Sequence, residues 1–200
     1  MAFYHNLITE KSWQLLLNLR KKYQFILIGG WAVFLYTRAL KSKDIDLVAS
    51  YKQLDKFKSD FEVSKNDRLK KYEARRQEVE IDIYLPYYSN PGLPAEVLEN
   101  FKINLEGFQV VEKEILAVLK QKAFLERANS SKGRKDLIDL ISLFKLSDFD
   151  WSKYKKIIAR YQLENQIKEV AGIIQQTKQI EELNLNVHQF SRLKKTFFFN

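Results

Sequence analysis

A short apolar run that closes on two glycines narrows the folds open to this chain more than any other feature. Gln24 to Ile28 has the length and composition of a buried strand. Gly29-Gly30 then turns the chain straight into Trp31 to Leu40, whose apolar residues follow helical spacing. The glycine pair supports two readings. It is a plain tight turn, or it is a place where absent Cβ atoms let the backbone approach a bulky anion at a helix N-terminus, whose free N–H groups favour phosphate.

Two further segments, Asp44 to Ala49 and Glu78 to Leu85, alternate polar and apolar residues as half-buried strands do. In Asp44-Ile45-Asp46-Leu47 the carboxylates stand at i and i+2. A strand points both to one face while Ile45 and Leu47 enter the core. Like charges side by side repel, which leaves either a well-solvated face or a cation between them, and oxygen-only donors suit Mg²⁺. Glu80-Ile81-Asp82-Ile83 repeats the alternation on a later strand, so one of its acids would complete a set of three carboxylates. Such a set holds two magnesium ions about 3.5–4 Å apart for in-line phosphoryl or nucleotidyl displacement, and its third carboxylate is the natural general base.

Thirteen residues separate Gly30 from Asp44. A hydrophobic residue, Gly-Gly, a spacer of this length, acid–hydrophobic–acid and a third acid on a later strand together resemble the signature of the DNA polymerase β-type nucleotidyltransferase superfamily. The resemblance covers roughly residues 24 to 85. It implies that Gly29 and Gly30 bind nucleotide phosphates, that Asp44 and Asp46 bind metal, and that Asp82 serves as the third acid more readily than Glu80. It further implies an NTP substrate, two Mg²⁺ ions, and a nucleotidyltransferase-like α/β core with a short mixed sheet flanked by helices. Lys41 and Lys43, just ahead of the acids, are phosphate contacts or solvated loop lysines.

The rest of the chain reads mainly as helix. Thr9 to Lys22 forms an expected first helix with Thr9 as its N-cap. Pro86 to Pro94, which holds all three prolines, is a loop. Glu112 to Ala128, Arg134 to Lys145, Trp151 to Arg160 and Glu164 to Leu183 read as successive helices, giving an α/β core over 1–110 and a C-terminal helical bundle over 111–200. Ile115, Leu119 and Lys122 fall within about 20° of one line on a helix. Lys122 is therefore expected on the apolar face, aimed at an anion or snorkelling past the core edge, with Lys120 pointing the other way.

Leu119-Lys120-Gln121-Lys122-Ala123, Arg127 and Arg134-Lys135-Asp136-Leu137-Ile138-Asp139-Leu140 resemble a segment of AbiEii-type toxins, the nucleotidyltransferase partners of type IV toxin–antitoxin pairs. By that resemblance Lys122 and Asp136 bind nucleotide, the helical region closes over it, and a cognate antitoxin is a partner. Without it, Asp136 and Asp139 read as acids near a helix start. Those toxins often carry Thr or Ser after the glycine pair; Gly29-Gly30-Trp31-Ala32-Val33 instead resembles lincosamide-modifying nucleotidyltransferases. The acceptor stays open among an RNA end such as that of tRNA, a protein hydroxyl and a small antibiotic.

Composition excludes several classes. Without cysteine there is no disulfide or thiolate chemistry, and two histidines leave little for zinc. Thirty-four basic against 25 acidic residues give +9, which favours polyanionic partners or a basic solvated surface. Arg68, Lys70, Lys71, Arg75 and Arg76 interleave with Leu69 and Tyr72 as a basic ribbon for a nucleic-acid backbone, or as a solvated strand pair. Trp151, Tyr154, Ile157 and Ile158 read as core, and Phe197-Phe198-Phe199 invites a groove or a second copy, hence a homodimer. The longest apolar run, Phe25 to Tyr36, is about half what a bilayer needs, and no leader pattern is seen. A cytoplasmic protein with no membrane partner is expected. These readings converge on a Mg-dependent nucleotidyltransferase that moves an NMP from an NTP to a hydroxyl, with the toxin of a toxin–antitoxin pair as one setting. The alternatives are a catalytically weak binding or antitoxin-like module on the same fold, and a basic nucleic-acid-binding protein.

Overall fold

The computed structural model describes residues 2–183 and 185–199, with side chains over 7–183 and 185–195; the side chains of His5 and Phe197-Phe198-Phe199 lie outside those described. The chain divides into two compact units, Met1–Glu112 and Lys113–Asn200. The first unit runs α1 (Ala2–Lys22), β1 (Ile26–Ile28), α2 (Gly29–Thr37), β2 (Ile45–Val48), α3 (Tyr51–Asp60), β3 (Val63–Asn66), β4 (Lys71–Arg76), β5 (Val79–Tyr84), a 3-10 turn (Ala95–Phe101), β6 (Lys102–Leu105) and β7 (Phe108–Val111). Its seven strands form one mixed sheet in the order β3-β4-β5-β2-β1-β7-β6. β1 pairs with β7 and β2 with β5 in parallel; the other neighbours are antiparallel.

Side-chain pattern explains these positions. β1 is buried at all three residues, as a strand covered on both faces must be. In β2, Ile45 and Leu47 are fully buried while Asp46 is only half-buried, and β5 alternates buried Val79, Ile81 and Ile83 with Glu80, Asp82 and Tyr84. Thr9 is not a cap. α1 begins at Ala2, and Thr9 lies buried within it, on the inward face with Ser12, Leu16 and Leu19. That face covers α2, where the Trp31 Nε1–H donates to Ser12 Oγ at 2.8 Å and the Trp31 ring lies 5.0 Å from Trp13. Trp31 after the glycine pair is thus a core residue under α1, and packing accounts for it without reference to an acceptor.

The second unit contains α4 (Lys113–Glu126), α5 (Ser131–Phe144), α6 (Trp151–Arg160), α7 (Glu164–Gln176), a 3-10 turn (Glu181–Leu183) and α8 (Val187–Phe199). The expected long helix to Leu183 stops at Gln176, because Thr177 adopts an extended backbone and the Lys194 ammonium takes the freed carbonyls of Gln175 and Thr177. Trp151 stacks on Phe144 at 4.9 Å beside Phe149 and the buried Tyr154, so this aromatic group is core.

The lysine assignment on α4 is reversed. Leu116, Lys120 and Phe124 are buried along with Ile115 and Leu119, so α4 is enclosed on most sides and one apolar line does not define its inward face. Lys120 is the inward lysine: its Nζ lies 3.1 Å from Asp136 Oδ1 and 2.7 Å from Asp139 Oδ2. Arg127 Nε donates to the other oxygen of Asp136 at 2.6 Å. Burial pushes the Asp139 carboxyl above its usual range against the pull of Lys120 and Lys135. Lys122 keeps 31% of its side chain exposed and pairs with Glu126 at 3.7 Å. Lys120→Met is expected to destabilise the protein by about 3 kcal/mol, because it takes the ion-pair partner from buried Asp139 and leaves Asp136 to Arg127. Lys122→Met changes stability by less than about 0.5 kcal/mol. Urea unfolding followed by circular dichroism checks both.

Candidate active site

The site is built where β1 becomes α2. Gly29 opens the helix with φ +68°, and a Cβ at that position would lie 2.0 Å from Asp46 Oδ2. The Asp46 carboxylate therefore presses against the Gly29 backbone at a helix N-terminus, where orphan N–H groups and the helix dipole favour negative charge. Only glycine combines that backbone conformation with that clearance.

Strand register extends the arrangement. Ile28 faces Asp46, Asp46 faces Asp82 and Asp82 faces Glu73, one row across β1, β2, β5 and β4. In-register neighbours on adjacent strands stand about 5 Å apart, so three carboxylates line one face of the sheet. Lys71 answers part of that charge: its Nζ lies 2.6 Å from Asp82 Oδ2 and 3.0 Å from Glu73 Oε1, with only 11% of the side chain exposed. Asn66 Nδ2 donates to the same Glu73 oxygen at 2.9 Å. Even so, the Asp82 carboxyl is pushed up to about 7, first by burial and then by the Asp46 charge, against the pull of Lys71. For Lys71, burial works downward, but Asp82 and Glu73 together outweigh it and raise the ammonium above its ordinary value.

Of the residues singled out in the sequence, Gly29, Asp46 and Asp82 are brought together here. Gly30 is buried directly behind Gly29. Between the two candidates for the third acid, Asp82 is the one beside Asp46; Glu80 faces Arg75 across the hairpin and pairs with it in the open. Asp44 and Lys43 are half-buried just ahead of β2, outside the ladder that fixes Asp46, and Lys41 is exposed beside Glu10 at 3.7 Å. Among the described residues, no three histidine, aspartate or glutamate side chains form a group that could hold a metal ion. What the strands assemble is Asp46 beside Asp82, with Lys71 bridging Asp82 and Glu73. Asp136, expected to contact nucleotide, is 1% exposed, and its carboxylate is taken up by Lys120 and Arg127 as an internal counter-ion.

In sequence Lys71 belongs to a basic ribbon and Glu73 carries no motif. A signal was there: a hairpin closing at Gln77-Glu78 sets Glu73 opposite Asp82, and Lys71 shares their face two residues away. Two facing acids call for a cation, and Lys71 lies within reach of both.

Two measurements probe this geometry. Gly29→Ala combines a left-handed backbone with a clash against Asp46, and is expected to cost about 3 kcal/mol in chemical denaturation. For Asp82 the sign follows from its raised carboxyl. Between about pH 4 and pH 7 the folded protein binds more protons than the unfolded chain, so the stability contributed by this group is fully present below that window and is lost as pH rises through it. Asp82→Asn removes that loss. Its Tm relative to the parent protein should climb from about pH 5 to about pH 8, and a difference flat in pH refutes the assignment.

No protein-family model matches the sequence, and no curated protein matches it at significance. Among solved structures, the chain is similar to a candidate nucleotidyltransferase from H. pylori, with a TM-score of 0.54 at 17% identity over 96% of this chain and 92% of that one. It also aligns with an antigenic nucleotidyltransferase-like protein from Paracoccidioides brasiliensis, at TM-score 0.45 and 20% identity over 82% of this chain and 91% of that one. JHP933 from Helicobacter pylori aligns at TM-score 0.46 and 15% identity over 90% and 84% of the two chains. At these identities the likeness is one of architecture: the chain adopts a nucleotidyltransferase-like α/β fold.

Proposed function

We propose that the chain is a divalent-cation-dependent nucleotidyltransferase that moves an NMP from an NTP to a hydroxyl acceptor and releases pyrophosphate. The observation that carries this reading is Asp46, pressed against Gly29 at the start of α2 and in register with Asp82 on the next strand. By the family resemblance Gly29 and Gly30 bind the triphosphate at the start of α2, where a helix N-terminus favours an anion. Lys43, half-buried before Asp44, adds positive charge on the approach to the acids.

The donor chemistry fits a hard cation. Asp46 and Asp82 offer carboxylate oxygens, and Asp82 remains short of compensating charge even with Lys71 upon it. Asp46 and Asp82 would hold Mg²⁺ together with substrate phosphate oxygens, and the family resemblance adds Asp44 and a second ion; when bound, the metal would neutralise triphosphate charge and lower the pKa of the attacking hydroxyl. Asp82, on the strand beyond Asp46, takes the acceptor's proton. The toxin setting, with a cognate antitoxin as partner, is supported by the resemblance of Leu119 to Leu140 to AbiEii-type toxins. An RNA end, a protein hydroxyl and a small molecule are the acceptors to be separated.

Incubation with α-labelled NTPs, Mg²⁺ and either bulk RNA or cell lysate tests the reading. Label should pass to one acceptor class, and Asp46→Asn or chelation should reduce transfer by roughly 10²-fold or more. Transfer that survives both changes refutes the proposal. Growth arrest on induction, relieved by Asp46→Asn, would mark the toxin setting. A different reading, nucleic-acid binding without turnover, draws on Lys65 and Lys70, which lie 5.1 and 5.5 Å from the Tyr88 ring. It predicts RNA affinity that falls steeply with salt and ignores Mg²⁺.

A further inference from the structure

We infer that Lys71 is a tethered cation that bridges Asp82 and Glu73 beside Asp46 in the resting site and competes with divalent ions for Asp82, with Glu73 as the partner it keeps when displaced. This rests on the reading of Asp46 and Asp82 as a cation site.

The argument starts from the register. A stabilising cross-strand ion pair sets opposite charges face to face. Here the residues face to face are two acids, Glu73 and Asp82, with Asp46 next in the row. Lys71 reaches the row from a diagonal position and touches two of its three members, at 2.6 and 3.0 Å. A single ammonium thus bridges Asp82 and Glu73, and a divalent ion held by Asp46 and Asp82 would meet it at Asp82.

The surroundings fix everything except the lysine side chain. Lys70, at φ +50°, has its carbonyl held by the Ser89 hydroxyl at 2.6 Å, and Ser89 Oγ in turn accepts from the Leu85 N–H at 2.9 Å. The backbone entering β4 is thereby anchored. Glu73 is held by Asn66 whether or not Lys71 is present, and Asn66 is itself fixed because its Oδ1 accepts the Leu69 N–H at 2.9 Å. The four-carbon stem of Lys71 is the mobile part, and an ammonium is a compact point charge that gives up one oxygen of a bridged pair without losing the other. A cation arriving at Asp46 and Asp82 therefore displaces Lys71 onto Glu73 and does not strand it.

Calorimetric titration of Mn²⁺ into the full chain, without nucleotide, tests this. Lys71→Met and Lys71→Gln should each bind Mn²⁺ about tenfold tighter or more, the effect expected from removing a competing charge within hydrogen-bond distance. Glu73→Gln should bind it more weakly, because Lys71 then rests on Asp82 alone. The double variant Lys71→Met with Glu73→Gln should match Lys71→Met, since Glu73 acts only through the lysine. Thermal melts establish that each variant is folded, and Lys71→Gln retains a polar group should the methionine variant fail. A lysine that merely supports the fold would weaken binding in every variant, and unchanged or weaker binding in folded Lys71 variants overturns the inference. If Asp46→Asn abolishes Mn²⁺ binding while the Lys71 variants leave it unchanged, the cation site stands and the role of Lys71 falls. Binding indifferent to Asp46→Asn overturns both.

Discussion

The Asp46 carboxylate occupies the space that any side chain at position 29 would need, and much of the first unit is arranged around that exclusion. It requires a glycine in a left-handed conformation, which ends β1 and starts α2 in a single residue. It also requires β2 to lie antiparallel to β1 with Asp46 opposite Ile28. Shifting that register by one residue would bury Asp46 and expose Ile45 and Leu47, so the core and the site are fixed by the same pairing. The tryptophan after the glycines locks the helix from the other side, through its hydrogen bond to Ser12.

The two units each enclose acids and cations, with opposite outcomes. Asp136 and Asp139 on α5 are buried and meet Lys120 from α4, with Arg127 from the turn between the helices on the second oxygen of Asp136. That is an enclosed group, in which burial still raises the Asp139 carboxyl. Around Asp82, Lys71 bridges two of the three acids in the row, and burial with the Asp46 charge raises the Asp82 carboxyl to about 7 on a half-buried face. A raised carboxyl on a partly accessible face is what a site needs if charge is to be supplied from outside.

Much of this was legible in the sequence because the signals were local. The glycine pair between an apolar run and a helical pattern, and the alternation in Asp44 to Ala49 and Glu78 to Leu85, located β1, α2, β2 and β5 to within a few residues. The reading of Asp82 over Glu80 came from family resemblance, and the register supplies the physical reason that Asp82, not Glu80, stands beside Asp46. Non-local information was harder to extract. The helix α3 and the strands β3, β6 and β7 carry weak patterns and are held by neighbours distant in sequence. Lys120 and Lys122 were exchanged because the inward face of α4 is set by what packs on it from several sides, which one helix's periodicity does not encode. Lys71 reads as surface charge in sequence because Asp82, one of the two acids it bridges, lies across a hairpin on another strand.

The ends of the sheet have a consequence of their own. Both border strands, β3 and β6, are four residues long and largely exposed, and each carries a lysine, Lys65 on one side and Lys102 on the other. Their outer N–H and C=O groups offer a template for a stranger's strand, yet docking one there would crowd an ammonium against the incoming backbone. A seven-strand ribbon that ends on short, charged margins resists growth into sheet-to-sheet aggregates, so an abundance of this protein need not become a liability.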